Sequence, residues 1–251
     1  MGKRIIQQRR GRGTSTYRVR RKSFRHKVQY PSKISGKGKV LKLFGSGGHS
    51  CPLAKISLEN SKSFYVPAFK GMVEKQEIDF DEKEIQKGQI RKLKDIPVKT
   101  QIYCLESRPG DGGKFVKSAG NYVEIVRKVG EDIFVLMPSK KEKKFNGDCR
   151  AIIGEAAGAG RLEKPLLKAG KKYFIAKTKS KLWPRTSAVK MNAIDHPFGS
   201  GRSKNVKSKV AKKNASPGQK VGLIRPKRTG RRKRKWYQRK QKKNSSIKGK
   251  H

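Results

Sequence analysis

The segments YVEIVRKV (residues 122–129) and DIFVLM (residues 132–137) set the fold class of this chain. Both are short, rich in β-branched and aromatic residues, and bounded by turn-forming residues, a pattern typical of strands. Further segments of this kind are KVLKLF (39–44), LAKISL (53–58), SFYVPAF (63–69), QIYCL (101–105) and RAIIG (150–154). Short strands at this spacing predict a mainly β protein. The middle part of the chain that carries them is about 140 residues long, which is enough for two small barrels.

Two features interrupt the strand pattern. Pro97 lies in a break near residues 94–98, where we place a boundary between the two barrels. The segment PLLKAGKKYFIAK (165–177) predicts one helix, although Gly170 weakens it by ~1 kcal/mol.

Positive charge is concentrated at both ends of the chain. The 251 residues include 66 Lys or Arg and 18 Asp or Glu, a formal net charge of +48. Residues 1–58 hold 16 basic residues and no acid, residues 59–163 hold 20 basic and 17 acidic residues, and residues 164–251 hold 30 basic residues and one acid. Because such charge repels itself, a polyanion is the simplest partner, and phosphate neutralised by Lys or Arg also releases counterions.

The basic arms have little apolar surface to bury. From residue 205 onward the chain is dominated by Lys, Arg, Asn, Ser and Gly, so we expect no fixed structure without a partner. Trp183, Trp236 and Tyr237 lie beside basic residues, where they either stack on unpaired bases or act as packed anchors. No run of ~20 apolar residues and no signal-peptide core is present, which predicts a cytosolic protein without a membrane partner.

The titratable residues form no catalytic or metal-binding pattern. The histidines His26, His49, His196 and His251 are dispersed, and no Ser, His and Asp grouping has supporting context. The cysteines Cys51, Cys104 and Cys149 form no CxxC pair, so we expect buried thiols rather than disulfides or zinc ligands. We predict that the chain is not an enzyme and has no cofactor, and that any Mg²⁺ belongs to bound RNA.

Three glycine-rich stretches resemble phosphate loops only superficially. They are residues 45–48 (GSGG), 109–113 (PGDGG) and 154–160 (GEAAGAG). None is followed by the Lys-Ser or Lys-Thr of a nucleotide-binding loop, and none lies in a strand–helix frame. We therefore predict that they are tight turns between strands.

Several motifs occur in order along nearly the whole chain. They are MGKRIIQQRRG (1–11), RPGDGGKFVKSAG (108–120), CRAIIGEAAGAG (149–160), EKPLLKAGKKY (163–173), WPR (183–185), MNAIDHPFG (191–199), KVGLI (220–224) and KRTGRRK (227–233). This set resembles the L-two family of large-subunit ribosomal proteins in its archaeal and eukaryotic form. The sequence departs from the family pattern at Ser200, because the family commonly has three consecutive glycines where this chain has Gly199-Ser200-Gly201. It departs again at residues 202–205 (RSKN), where the family usually has a His-Gln-His element whose roles do not carry over.

The resemblance implies an architecture and a function. It implies an OB-fold barrel (residues 36–94) followed by an SH3-like barrel (95–178), between long basic extensions (1–35 and 179–251). The implied protein is a structural constituent of the large subunit that binds its rRNA, contacts neighbouring ribosomal proteins, and meets the small subunit at an intersubunit contact. It supports subunit assembly and lies near the peptidyl-transferase centre. We expect it on cytoplasmic ribosomes and not as a homo-oligomer.

The resemblance also implies which side chains contact rRNA. They are Arg9, Arg10, Arg12, Arg108, Lys114, Lys117, Arg150, Arg161, Lys168, Lys171, Lys172, Trp183, Arg185, Asn192, His196, Arg202, Arg228, Arg231, Arg232 and Lys233. Within this set His196 follows Asp195, so two roles are open. His196 either shapes RNA by hydrogen bonding or stacking, or it transfers a proton with Asp195 as its orienting partner.

Two other functions compete with the ribosomal interpretation. A general nucleic-acid chaperone would explain the charge but not the MNAIDHPFG and RPGDGGKFV motifs. An RNA-modifying enzyme would need a cofactor pocket or an activated nucleophile, and the sequence has neither.

Overall fold

The chain divides into two compact units. In the computed structural model, which describes residues 2–59, 63–82, 84–199 and 209–226, one unit is Arg18–Pro184 and the other combines Met1–Tyr17 with Arg185–His251. The helices are α1 (Ile6–Gly11) and α2 (Ala169–Thr178). The strands are β1 (Lys37–Phe44), β2 (Leu53–Leu58), β3 (Ser63–Pro67), β4 (Glu77–Asp79), β5 (Ile90–Lys92), β6 (Gln101–Tyr103), β7 (Val123–Val129), β8 (Asp132–Leu136), β9 (Glu142–Asn146), β10 (Arg150–Ile153), β11 (Val210–Ala211) and β12 (Leu223–Ile224).

Two antiparallel sheets build the unit Arg18–Pro184. The first sheet has the strand order β3-β2-β1-β4, and the second has the order β5-β10-β6-β7-β8-β9. The mainly β prediction is therefore confirmed. All seven strands predicted from the sequence are present, with ends that differ by two residues or fewer.

Alternating side chains divide the interior of this unit into two apolar cores. On β6, Tyr103 joins the first core and Ile102 the second, and on β10 the same division separates Ile152 from Ile153. Because neighbouring residues of a strand point to opposite faces, these two strands contribute to both cores. This explains why RAIIG is apolar without alternation: it is buried on both faces.

The predicted helix is present but begins four residues later than expected. Lys168 has extended backbone angles and α2 begins at Ala169, so the apolar residues before it are not helical. No residue of α2 is buried, and Leu167 and Phe174 are among the most exposed apolar side chains described. No helix among the described residues is long and apolar enough to cross a bilayer.

The second unit joins the start of the chain to part of its basic C-terminal region. The N–H of Lys3 donates to the carbonyl of Ile194 at 2.8 Å, and β11 pairs with β12 in parallel. The expectation that residues beyond 205 have no structure of their own is wrong for residues 209–226. A side chain at Gly222 would overlap Phe198, so part of the order comes from packing on the 191–199 segment.

Candidate nucleic-acid interface

The glycine-rich segment after β6 forms a rigid turn around a buried carboxylate. We call residues 107–114 the cationic turn. Glu106, immediately before it, has no solvent exposure and accepts hydrogen bonds from the N–H groups of Gly112 (3.0 Å) and Gly110 (3.3 Å). The same carboxylate accepts the N–H of Arg150 at 2.8 Å and its Nη2 at 2.9 Å. One buried acid thus links the turn to β10.

A second carboxylate closes the turn from within. Asp111 Oδ2 accepts the N–H groups of Ser107 (2.9 Å) and Arg108 (3.3 Å), and its Oδ1 accepts the N–H of Gly113 (3.0 Å). Short Asp side chains commonly cap turns in this way. The prediction of a tight turn at residues 109–113 is confirmed. The carboxylates of Glu106 and Asp111 hold the backbone of this turn in place.

Two glycines of this turn have no room for a side chain. Gly112 and Gly113 have positive φ, of 74° and 90°. A Cβ on Gly113 would lie 2.7 Å from the Cys104 carbonyl oxygen, and one on Gly112 would overlap Gln29. The backbone therefore packs closely against the core, which leaves the turn little freedom to move.

The cations of this region differ in their availability. Arg108 and Lys114 are exposed, and neither forms a salt bridge within the described part of the chain. The Arg150 side chain is only 12% exposed, and its guanidinium lies 5.0 Å from the centre of the Tyr30 ring. Lys117 donates to the carbonyls of Gly113 (3.2 Å) and Val28 (3.4 Å). Two of the four predicted cations therefore face solvent, while the other two brace the turn.

Buried neutral groups lie behind the cationic turn. The Tyr30 hydroxyl donates to the carbonyls of Arg150 and Cys104, and burial raises its pKa far above the ordinary value. Burial also raises the pKa of the Cys104 thiol to about 12 and that of Cys51 to about 11. All three cysteines are buried and unpaired, which confirms the prediction of buried thiols.

A basic and aromatic surface surrounds α2. Arg161, Lys168, Lys171 and Lys172 are all exposed. Lys172 Nζ lies 5.2 Å from the centre of the Trp183 ring, a cation–π distance. Trp183 is partly exposed. Arg185, the next predicted residue, begins the other unit and is exposed.

The 191–199 segment is a compact turn centred on His196. This histidine is 7% exposed, and its Nδ1 accepts the N–H of Phe198 at 3.0 Å. The backbone N–H of His196 donates to the carbonyl of Asn192 at 3.3 Å. Asp195 lies 3.9 Å from Lys3 Nζ. Because the backbone N–H of Phe198 occupies His196 Nδ1, Asp195 does not orient the ring from that nitrogen.

A cleft of about 740 Å³ opens beside His196 within the same unit. The first residues of the chain form one wall, and residues 193–197 and 216–219 form the others. Arg9, Arg10 and Arg12 lie at the end of α1 and are exposed, and Arg9 Nε donates to the carbonyl of Arg4 at 3.0 Å. The structure therefore brings the predicted arginines of the N-terminal arm into the same unit as Asn192 and His196.

Some predicted residues lie outside the described part of the chain. These are Arg202, Arg228, Arg231, Arg232 and Lys233, together with the aromatic residues Trp236 and Tyr237. Among the described residues, no group of three His, Cys, Asp or Glu side chains is placed to hold a metal ion.

Sequence reasoning missed two parts of the candidate site, of which the first is buried. Glu106 was overlooked because most acids in the middle of the chain occur in charged surface runs; its position directly after the apolar strand QIYCL was the available signal. The second part is a cleft of about 760 Å³ lined by Arg20, Arg21, Lys22 and Arg25, around a 3₁₀ helix. The dense run RVRRKSFR (18–25) indicated charge there, but not the cleft.

The fold and the site together define a class: a mainly β protein with strongly basic terminal regions and a glycine-rich turn that carries exposed cations. The Ribosomal Proteins L2, C-terminal domain family matches residues 86–218. The chain is 45% identical over 240 residues to the large ribosomal subunit protein uL2 of Hyperthermus butylicus, covering 93% of this chain and 100% of the relative. It is 41% identical to the protein of the same name in Archaeoglobus fulgidus (92% and 99% covered) and 40% identical to that in Methanothermobacter thermautotrophicus (92% and 100%).

The chain belongs to the large ribosomal subunit protein uL2 family. It is accordingly a structural, non-enzymatic component of the large ribosomal subunit that serves in translation.

Proposed function

We propose that this chain binds large-subunit rRNA through exposed cations on a rigid β scaffold and through its basic terminal regions. The observation that carries the proposal is the cationic turn, where the buried Glu106 and the partly exposed Asp111 hold the backbone. Arg108 and Lys114 of this turn are exposed to solvent. Arg presents a planar fork to phosphate and Lys presents a point charge. We therefore expect these side chains to contact the phosphate backbone and to recognise the shape of the RNA more than its base sequence.

The other predicted residues extend the proposed interface. The exposed cations Arg161, Lys168, Lys171 and Lys172, with the partly exposed Trp183, would contact RNA around α2. Arg9, Arg10, Arg12, Arg185 and Asn192 would do so in the other unit, and Arg202, Arg228, Arg231, Arg232 and Lys233 complete the set. Arg150 and Lys117 would act mainly by supporting the turn, because their polar groups are engaged internally.

We infer that His196 shapes RNA near the peptidyl-transferase centre without taking part in the chemistry. The hydrogen bond from Phe198 to Nδ1 supports this inference. His196→Ala subunits should assemble and form peptide bonds at a rate within about tenfold of wild type, a limit of ~1.4 kcal/mol. A loss of several orders of magnitude in the chemical step, with normal assembly, would contradict it.

The finer architecture is part of the same proposal. We assign an OB-fold barrel to the first sheet and an SH3-like barrel to the second. The four proposed segments are 1–35, 36–94, 95–178 and 179–251. The pairing of β5 with β10 favours placing the barrel boundary a few residues earlier, before Ile90. The proposed partners are large-subunit rRNA, neighbouring ribosomal proteins and the small subunit, on cytoplasmic ribosomes, with any Mg²⁺ held by the RNA.

Co-sedimentation and footprinting test the proposed function. The full chain should co-sediment with large subunits at moderate salt and protect one defined site on their rRNA. Its affinity for that rRNA should fall steeply as salt rises, because each neutralised phosphate releases counterions. A diffuse footprint would favour a general nucleic-acid chaperone, and a flat salt response would contradict the electrostatic account.

A further inference from the structure

We propose that Glu106 is a positioning residue for RNA binding: its buried carboxylate holds the cationic turn in its binding shape and keeps Arg150 engaged inside the protein. This inference rests on the proposed function and deepens it. It concerns an acid in a chain of net charge +48, where an additional negative charge would ordinarily weaken attraction to RNA.

The hydrogen bonds of Glu106 leave it no capacity for an external ligand. Its two oxygens accept the N–H groups of Gly110, Gly112 and Arg150, and the Nε and Nη2 of the Arg150 guanidinium. A carboxylate offers about four acceptor sites, so it is saturated by these donors. Removing its charge would leave Arg150 with no acid in contact, at a side chain only 12% exposed.

This arrangement also determines how a phosphate approaches the turn. Successive backbone N–H groups in a glycine-rich turn form a nest that binds external anions. Here the N–H groups of Gly110 and Gly112 point at Glu106, and those of Ser107, Arg108 and Gly113 point at Asp111. Internal carboxylates therefore occupy the nest, and RNA phosphate is left to the side chains of Arg108 and Lys114.

Glu106→Gln distinguishes an effect of net charge from an effect of positioning, because the two predict opposite changes in affinity for RNA. The substitution keeps the side-chain size and raises the net charge by one. If charge alone governed binding, affinity for RNA would rise. If the turn must be held in shape, affinity falls on the order of tenfold, since a turn backbone that is no longer held must be ordered during binding, at a free-energy cost of about that size.

The experiment measures the dissociation constant of the full-length chain for an in vitro transcript of large-subunit rRNA at fixed salt. Glu124→Gln is the matched control, because it makes the same change in charge at a partly exposed residue of β7, away from the turn. We expect about tenfold weaker binding for Glu106→Gln and unchanged or slightly tighter binding for Glu124→Gln. Equal affinities, or tighter binding by Glu106→Gln, would overturn the proposal.

A double-mutant cycle excludes a merely structural effect. In the Arg108→Gln/Lys114→Gln background, Glu106→Gln should have no further effect on affinity, because the side chains that it positions are gone. A second tenfold loss in that background would refute positioning. If Glu106→Gln does not fold, Glu106→Asp, which keeps the charge but shortens the side chain, takes its place in the same cycle, with a smaller loss expected and the same two outcomes.

Amide hydrogen exchange tests the inference without RNA. Exchange at Gly110 and Gly112 should accelerate in Glu106→Gln and stay unchanged in Glu124→Gln, and protection that persists in Glu106→Gln would refute the holding role. Failure of the wild-type chain to bind the transcript would instead reject the proposed function, so the two failures are distinguishable.

Discussion

The cationic turn and the exposed face of β7, β8 and β9 use the same residue types in opposite ways. On that face, which we call the paired face, Arg127 lies 3.3 Å from Glu142 and Lys144 lies 2.5 Å from Asp132, with all four side chains at least 39% exposed. At the turn the acids are directed at backbone N–H groups and at Arg150, and Arg108 and Lys114 project without an acid. The placement of the acids, more than the number of cations, decides which surface is available to a polyanion.

Stability gives the largest expected contrast between the two regions. Glu106→Ala should lower the free energy of unfolding by about 3–5 kcal/mol, because it leaves a buried guanidinium uncompensated. Glu142→Ala, which breaks an exposed pair, should change it by about 0–1 kcal/mol. Urea denaturation of both variants measures the difference, and similar losses would mean that the buried pair has no special role.

The fit of the turn against the core can be tested with its own glycines. Gly113→Ala should cost about 1–3 kcal/mol, because its Cβ would lie 2.7 Å from the Cys104 carbonyl oxygen at a φ of 90°. Gly110 also has positive φ but has open space around it, so Gly110→Ala is the matched control and should cost less. Thermal unfolding compares them, and equal costs would show that backbone strain, not close packing, governs both positions.

Alkaline pH should weaken the support behind the turn. The Cys104 thiol has a pKa of about 12 in the folded chain against an ordinary 9.0, so the folded state keeps a proton that the unfolded state loses. The contribution of Cys104 to the free energy of unfolding is therefore fully present below pH 9, and it falls by about 1.4 kcal/mol per pH unit between pH 9 and 12. Cys104→Ala should show a correspondingly shallower decline in urea denaturation from pH 8 to 11. Identical slopes would contradict the assignment.

The salt dependence of rRNA binding provides the smallest but most specific contrast. Arg108→Gln should reduce the slope of log affinity against log salt by on the order of 0.7–0.9, the value for one lost phosphate contact. Arg127→Gln removes the same charge from the paired face and should leave the slope nearly unchanged. Filter binding at several salt concentrations measures both, and equal changes in slope would remove the distinction between the two surfaces.

The strands rich in β-branched residues were predictable from sequence, and the charged ones were not. Segments such as LAKISL and DIFVLM carry enough apolar pattern to be recognised alone. The strands β4 (EID), β5 (IRK) and β9 (EKKFN) are short and polar, and they form because neighbouring strands offer them hydrogen bonds. Tertiary context of this kind leaves little trace in local composition.

The candidate site shows a similar division. The motif PGDGG predicted a tight turn, and the structure has one. The resemblance implied that Arg108 and Lys114 contact rRNA, which stays a prediction; both side chains are exposed. The internal engagement of Arg150 was not predictable, because its partner Glu106 lies 44 residues earlier in the chain. Likewise, the pairing of Asp195 with Lys3 depends on the start of the chain meeting residues far along it.

Photo-crosslinking in assembled large subunits tests the central claim most directly. A crosslinking amino acid placed at position 108 of the cationic turn, or at position 127 of the paired face, reports which surface touches RNA. We expect crosslinks to rRNA from position 108 and none from position 127. RNA crosslinks from position 127 with none from position 108 would contradict it.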